Sequence, residues 1–262
     1  MILDFLKLPY TKEYSLDDPK TTLMHARIIE EKLYLKNIYT EFYTEFKKTI
    51  PKTKGKPLFV ELGSGGGFIK KIVPKVITSD IVKIPTIDMK FPAALMPFKK
   101  ESVDAFFMVD VFHHISDASL FLHEVNRALK NQGKLVMIEP ANTPWGRFIY
   151  SHLHHEVFDP KGPWKLKKTG RLSAANGALP WIIFVRDRNK FKKLFPHLRI
   201  IRIEPHTPLR YIISGGLTFK QLLPSFTYGI IKFIEGVISP FNTYLGMFYT
   251  IELTKEKIKT FQ

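Results

Sequence analysis

A glycine-rich turn is the first segment of this chain that could do chemistry. It follows the apolar run Leu58–Leu62 and holds glycines at positions 63, 65, 66 and 67. Glycine accepts positive φ and lets a ligand approach the backbone where a Cβ would collide. A dinucleotide-binding turn starting at Gly63 would need a glycine where Phe68 stands, so the spacing points to another cofactor. Asp80 ends the next apolar run, where its carboxylate could accept bonds from both hydroxyls of a ribose. A ligand-free turn is the alternative, which four glycines in five positions disfavour.

Short apolar strands alternate with helical segments around this turn. This βαβ order predicts a doubly wound, mostly parallel Rossmann-like sheet with helices on both faces. Strands are predicted at 58–62, 76–79, 103–109, 134–138, 198–203 and 246–253, and helices at 24–46, from Phe68, and at 118–129, 187–195 and 226–238. The helix at 226–238 is expected to pack on the sheet, with contact to a membrane as the alternative.

We divide the chain into four parts on these patterns. They are an N-terminal helical extension (1–54), a cofactor-binding core (55–140), an insertion or lid after the strand ending at Ile138 (141–186), and the C-terminal part of the same α/β domain (187–262).

Charge and composition limit the class of protein. The net charge is +16, of which residues 141–262 contribute +12. Such a surface could meet an acidic substrate, nucleic acid or an anionic membrane, or could simply be a soluble surface rich in lysine. The chain has no cysteine, which excludes disulfides, thiolate metal sites and cysteine nucleophiles. No secretory leader or membrane span is expected, so we predict a cytoplasmic location with possible peripheral membrane contact.

Several motifs in the right order make residues 58–140 resemble the class I S-adenosylmethionine-dependent methyltransferases, especially the small-molecule group. They are the turn Val60–Gly67, Asp80, the segment Met96–Asp104, the segment Val109–Ile115 and the segment Leu122–Gly133. The resemblance implies S-adenosylmethionine as cofactor and an antiparallel hairpin at the end of the sheet. The implied cofactor-binding residues are Glu61, Gly63, Ser64, Gly65, Gly67, Asp80, Phe98, Asp110 and Val111.

One departure from the family concerns the adenine side. The family commonly has an aspartate five residues before the Pro97-Phe98 pair, where this chain has Pro92. Asp88 or backbone near Phe98 is the expected substitute.

Methyl transfer to oxygen or nitrogen can require a base that removes a proton from the acceptor. His113 and His114 follow Asp110 closely and are our catalytic candidates, with packing or helix capping as the alternative. Predicted substrate-binding residues are His154, His155, Asn176 and Trp181. A second cluster consists of His152, His154, His155 and Glu156, and its spacing superficially suggests a metal. No further acidic pattern supports one, so a polar patch on the substrate side is the preferred interpretation and no metal site is expected.

Three functions follow from these patterns. The first is a methyltransferase acting on oxygen or nitrogen of a small or lipid-linked metabolite. The second is a methyltransferase of RNA or other nucleic acid, which the charge favours, although the segment Asp110–His113 lacks the Asn/Asp-Pro-Pro-aromatic pattern of base amino methylation. The third is a non-catalytic, membrane-associated binding protein.

Overall fold

The apolar runs form one seven-stranded sheet in the computed structural model, which describes residues 5–8, 14–50, 55–154, 156–167 and 170–257. The strands are β1 (Phe59–Leu62), β2 (Val76–Asp80), β3 (Met89–Lys90), β4 (Val103–Val109), β5 (Leu129–Pro140), β6 (Leu198–His206) and β7 (Phe248–Lys255). Their spatial order is β3-β2-β1-β4-β5-β7-β6. Strands β1 to β5 are mutually parallel, and β7 runs antiparallel to both β5 and β6. The predicted fold class, with its terminal antiparallel hairpin, is therefore confirmed.

Helices cover both faces of this sheet. The α-helices are α1 (Pro19–Glu31), α2 (Leu33–Thr49), α3 (Ala118–Ala128), α4 (Pro144–His152), α5 (Leu179–Trp181), α6 (Arg188–Leu194), α7 (Arg210–Ser214), α8 (Tyr228–Ile238) and α9 (Asn242–Leu245). Helix α3 and the segment 178–195 pack against one face of the sheet, and α1 and α2 pack against the other. Every residue of the central strand β4 is buried, as expected for a parallel strand covered on both sides.

The single helix predicted over residues 24–46 is wrong, because α1 and α2 are separated at Lys32. The backbone of Lys32 is extended. Its ammonium group donates hydrogen bonds to the carbonyls of Gly216 (2.5 Å) and Phe219 (2.8 Å). Burial lowers the pKa of this lysine to about 8. The interruption coincides with these long-range contacts of Lys32, which periodicity does not reveal.

The helix predicted from Phe68 is also wrong. Only one 3₁₀ turn, Ile69–Lys71, follows the glycines, and Pro74 leaves little room for more. Helix α2 covers this part of the sheet instead. Phe46 stacks on Phe107 of β4 at 5.0 Å, and Tyr43 meets the ring of Phe68 edge-on. The N-terminal extension therefore covers the sheet where the connection between β1 and β2 has no α-helix to do so.

Helix α8 does not pack on the sheet by its apolar face, so that expectation is wrong as well. The side chain that it buries is Glu235, whose carboxylate accepts bonds from the backbone N–H groups of Leu209 and Arg210. Apolar side chains in and beside α8 point to solvent, with Phe226 81% and Phe233 73% exposed. The α8 apolar surface consists of Phe226, Ile230, Phe233, Val237, Phe241 and Tyr244. Among the described residues, no helix has the length and apolarity needed to cross a membrane.

Candidate cofactor and active site

The glycine turn lies at the carboxyl end of β1, beside the end of β2. Gly63 has a φ of +65°, and a Cβ there would lie 2.6 Å from the methyl groups of Val111. The N–H of Gly65 donates to Oδ2 of Asp80 at 3.1 Å. A Cβ on Gly67 would overlap the hydroxyl of Tyr43, so this glycine lets α2 approach the turn. The turn and Asp80 thus form one unit at the edge where ligands bind in open α/β sheets.

A cavity of about 800 Å³ opens at this unit. Its volume is in the range of small-molecule sites, about 300–1,000 Å³. Most of the predicted site residues line it, namely Glu61, Gly63, Ser64, Gly65, Gly67, Asp80, Asp110, Val111, His113, His114 and His154. The structure therefore brings predicted residues from the ends of β1, β2 and β4 together with one predicted residue of the insertion, His154.

Glu61 is a buried carboxylate on the wall of this cavity. Its Oε2 has no hydrogen-bond partner among the residues that the structure describes. Burial raises the pKa of Glu61 to about 8, and the nearby charge of Asp80 adds to the rise, although hydrogen bonds from Ser64 and Tyr43 oppose it. A cationic ligand group would satisfy this carboxylate and favour its charged form.

The loop after β4 is strained and firmly held. Asp110 has a φ of +53°, an uncommon conformation for a residue with a side chain. Glu139, at the end of β5, accepts bonds from the N–H groups of Val111 (2.9 Å) and Phe112 (2.7 Å). Burial raises the pKa of Asp110 to about 8. Glu139 therefore fixes the loop that presents Asp110 and the two histidines to the cavity.

His113 lies between two carboxylates. Its Nδ1 is 2.7 Å from Oε2 of Glu139, and its Nε2 is 3.3 Å from Oε2 of Glu156. Burial opposes the charged imidazole, but the bonds and charges of these two carboxylates raise the pKa of His113 well above its usual value. Burial opposes the charged form of Glu156 too, yet His113 holds the pKa of that carboxyl below its usual range.

His114 completes this cluster. Its Nδ1 is 3.1 Å from the carbonyl oxygen of Ala174, and its Nε2 is 3.5 Å from Oε1 of Glu156. Burial, followed by the charge of His113, lowers the pKa of His114 to about 4. At neutral pH His114 is therefore an uncharged imidazole that keeps the lone pair of Nε2.

Three predicted site residues lie away from the cavity wall. Phe98 packs in the core between Phe91 and Phe106. Asn176 is buried and holds the loop at Asp159, to whose N–H and carbonyl it bonds. Trp181 packs against the main core beside the sheet. His155 lies outside the described residues.

The adenine side differs from the expectation as well. Asp88, the expected substitute for the missing aspartate, bonds to Thr78 and Lys70. Phe91, Pro92 and Ala93 line the cavity instead.

Sequence reasoning missed several residues of the site. Glu139 and Glu156 orient the histidines, and Arg171 reaches the cavity from the insertion. Arg171 donates to Thr22 of α1, while its Nε, buried, lacks a partner within the described part of the chain. The position of Glu139 at the end of a parallel strand could have identified it. The sequence marks Glu156 only as a member of the second histidine cluster, with no link to His113, and nothing in the spacing of Arg171 points to the cavity.

Comparisons with known proteins agree with this geometry. Residues 60–137 match the family model described as a methyltransferase domain. No curated protein sequence matches the chain closely enough to count as a relative. Among solved structures, the chain is similar to geranyl diphosphate C-methyltransferase from Streptomyces coelicolor, in complex with Mg²⁺, geranyl diphosphate and S-adenosyl-L-homocysteine. That match has a TM-score of 0.51 and 12% identity, and covers 88% of this chain and 83% of the other.

A second similar structure is a methyltransferase from Thermotoga maritima, described as a possible histamine N-methyltransferase. Its TM-score is 0.51 at 15% identity, and the match covers 90% of this chain and all of the other (100%). At such identities these structures speak for the fold alone. The family model and the strand order identify residues 60–137 as a methyltransferase domain with the Rossmann-like fold of the class I S-adenosylmethionine-dependent enzymes, and S-adenosylmethionine is the cofactor that such a domain implies.

Proposed function

We propose that this chain transfers the methyl group of S-adenosylmethionine to an oxygen or nitrogen atom of a small or lipid-linked metabolite. The observation that carries the proposal is the continuity of one cavity. It runs from the glycine turn and Asp80 to the polar cluster of His113, His114 and Glu156, with Asp110 between them. Cofactor and acceptor groups can therefore share one enclosure.

The residues present suit the cofactor chemically. The carboxylate of Asp80 faces the cavity and can accept bonds from ribose hydroxyls, and bare backbone at Gly63 and Gly65 leaves room for the methionine part. The partnerless Oε2 of Glu61 suits the α-ammonium group of that part. When bound, S-adenosylmethionine supplies an electrophilic methyl on a sulfonium.

The chain contributes chiefly position in such a displacement. Holding an acceptor in line with a methyl carbon can contribute several kcal/mol, about 7–11 in the most favourable intramolecular reactions. The resemblance puts the methyl beside Asp110 and Val111, and the histidine cluster lies just beyond them on the same wall. We therefore assign the acceptor atom to the His114 and Glu156 end of the cavity, where an uncharged imidazole and a carboxylate line the wall.

The lipid-linked part of the proposal rests on the α8 apolar surface. Monomeric soluble proteins rarely expose large contiguous apolar patches, and those that do use them for binding. The patch lies in the half of the chain that carries a net charge of +12. An exposed apolar surface on a protein with a net charge of +16 suits the interface of an anionic membrane. A membrane would bring a lipid-linked acceptor to the enzyme.

Two measurements test the proposal. Calorimetry should show one S-adenosylhomocysteine bound per chain, with at least about tenfold weaker binding for Asp80→Asn because a charged acceptor of ribose hydrogen bonds is lost. Asp88→Asn, which alters a carboxylate outside the cavity lining, is the matched control and should bind as the original protein does. Absence of binding by the unaltered protein would remove the proposal.

The acceptor can be sought with cofactor carrying a deuterated methyl group. The protein is incubated with separate lipid, aqueous-metabolite and RNA fractions, and mass spectrometry identifies the labelled molecule. Label in the lipid or aqueous-metabolite fraction supports the proposal. Label in RNA alone would favour a nucleic-acid methyltransferase, and binding without any transfer would favour a non-catalytic protein.

A further inference from the structure

We infer that His113, His114 and Glu156 form a binding site for a divalent transition-metal ion, most simply Zn²⁺, which holds the acceptor oxygen. This inference rests on the proposed function for the role of the ion, but not for its binding. It also narrows the substrate to an oxygen acceptor, because a bound cation makes a hydroxyl more acidic. No metal site was expected from the sequence, because no acidic pattern supported the second histidine cluster and nothing in the sequence indicated that Glu156 would meet His113 and His114.

The distances between the ligand atoms suit one ion. Nε2 of His113 lies 3.3 Å from one oxygen of Glu156, and Nε2 of His114 lies 3.5 Å from the other. All three ligand groups offer an atom within 4.8 Å of the others. Ligands about 2.1 Å from a tetrahedral ion lie about 3.4 Å apart, so little movement is needed to admit zinc.

The remaining nitrogens of the two histidines are arranged as they are around bound metals. Metal-binding histidines generally give their other N–H to a carboxylate or a backbone carbonyl, which fixes the ring. His113 has Glu139 at its Nδ1 (2.7 Å), and His114 has the carbonyl of Ala174 at its Nδ1 (3.1 Å). Both rings therefore turn Nε2 toward Glu156.

The three ligands leave room for a fourth. Two histidines and one carboxylate, with an open position for water or substrate, form a known set for catalytic zinc. All three residues line the same cavity as Asp110 and the glycine turn. The open position therefore faces the space where the acceptor would lie.

Charge in this region also favours a cation. Glu139 and Glu156 flank His113, and the side chain of Asp110 is close enough for their charges to act on it. Binding of the ion would release the Nε2 proton of His113 to solvent. An acceptor hydroxyl on the ion would then lose its proton to solvent, and its oxygen would form the bond to the methyl carbon. The electron pair of the breaking carbon–sulfur bond stays on sulfur, which leaves neutral S-adenosylhomocysteine.

Cobalt titration tests the site without any assay of methyl transfer. The full chain is treated with a chelator, Co²⁺ is added, and the visible d–d absorption is recorded. We expect one equivalent to bind with the intense band of a tetrahedral ion, and Zn²⁺ to displace it. Glu156→Gln and His114→Gln should each weaken binding more than about 100-fold, since loss of a direct ligand exceeds the 10–100-fold typical of the residues behind the ligands.

His123→Gln is the matched control, because His123 is an exposed histidine of α3 outside this cluster. It should bind Co²⁺ as the unaltered protein does. S-adenosylhomocysteine calorimetry on each variant reports an intact fold and cofactor site.

The two proposals fail in different ways. Weak, non-stoichiometric Co²⁺ binding by the unaltered protein, or equal binding by Glu156→Gln, would overturn the metal site whatever the cofactor data show. Failure to bind S-adenosylhomocysteine with a normal Co²⁺ titration would overturn the proposed function and leave the metal site standing.

Discussion

Helices α3 and α8 are both eleven residues long and amphipathic, yet they face opposite ways. In α3, Phe121, Leu122 and Val125 are fully buried against the sheet. In α8, Phe233 and Val237 are exposed, and the buried residue is Glu235. Amphipathic periodicity therefore identifies a helix with two unlike faces but does not say which face the fold covers.

The neighbours of each helix explain the difference. Helix α3 crosses between two adjacent parallel strands, β4 and β5, so its apolar face must cover them. Helix α8 lies in the long connection between β6 and β7 and is held by ionic contacts. The Nε of Arg210 donates to Glu235 at 2.5 Å, and Glu41 of α2 accepts bonds from Arg210 and Tyr228. These ionic contacts, with the edge-on contact of Tyr228 and Tyr34, attach α8 to the fold and leave its apolar face exposed.

Buried carboxylates show a second contrast between the two regions. Glu235 has Arg210 as a salt-bridge partner. Glu61 of the cofactor region has none among the described residues, and burial raises its pKa to about 8. A buried carboxylate without a salt-bridge partner is more typical of a ligand-binding site than of a group that stabilises the fold.

The sharpest test of the comparison is alanine substitution of one phenylalanine in each helix. Phe121→Ala should reduce the free energy of unfolding by about 3–5 kcal/mol, because it leaves a cavity in the core. Phe233→Ala should change it by less than about 0.5 kcal/mol, since the ring is already in water. Urea unfolding followed by circular dichroism measures both. Similar losses would mean that α8 packs by its apolar face in solution.

The ionic attachment of α8 predicts the next largest effect. Glu235→Gln should cost about 3 kcal/mol of unfolding free energy, the lower end for a broken buried pair, because Arg210 retains Glu41. Lys232→Gln, which removes an exposed partner of Glu41, should cost less than about 1 kcal/mol. The same unfolding experiment compares them. If Glu235→Gln cost no more unfolding free energy than Lys232→Gln, the buried ion pair of Arg210 and Glu235 would not be what holds the helix.

Much of the cofactor region could be predicted because its signals are local. The strand over Val103–Val109 was predicted with its exact bounds, and the glycine turn lies beside Asp80 as expected. Both depend on residues that are close in sequence or on neighbouring parallel strands. The bounds of β6 and β7 were predicted within a few residues from their apolar runs, whereas their antiparallel pairing came from the family resemblance.

The features that the sequence did not predict depend on contacts between segments that are distant in the chain. At the break between α1 and α2, Lys32 bonds to carbonyls more than 180 residues away. Glu156 meets His113 only through the path of the insertion, and the orientation of α8 depends on Arg210 and Glu41. No local pattern records such pairings.

Membrane binding gives the α8 apolar surface a direct test. Phe233→Ser should weaken sedimentation with vesicles of phosphatidylcholine and phosphatidylserine by about tenfold, or about 1.4 kcal/mol, as one aromatic side chain no longer enters the interface. Leu95→Ser is the matched control, because Leu95 is equally exposed (73%) but belongs to the loop before β4. Vesicles without phosphatidylserine should bind more weakly in both cases. Equal vesicle binding by Phe233→Ser and Leu95→Ser would mean that the α8 apolar surface does not bind the membrane.

The smallest effect concerns the unpaired carboxylate of Glu61. Its protonated form predominates below about pH 8, whereas an α-ammonium ligand needs the carboxylate. The affinity for S-adenosylhomocysteine should therefore rise with pH through this range, by about fivefold between pH 7 and pH 8 from Glu61 alone. Asp110, whose pKa burial raises similarly, and the amino group of the ligand titrate in both proteins, so the measured quantity is the difference between the unaltered protein and Glu61→Gln. Calorimetry in buffers of different ionisation enthalpy should also show a proton released on binding that Glu61→Gln does not release. Equal pH profiles would mean that Glu61 stays protonated in the complex and supports the turn without contacting the ligand's charge.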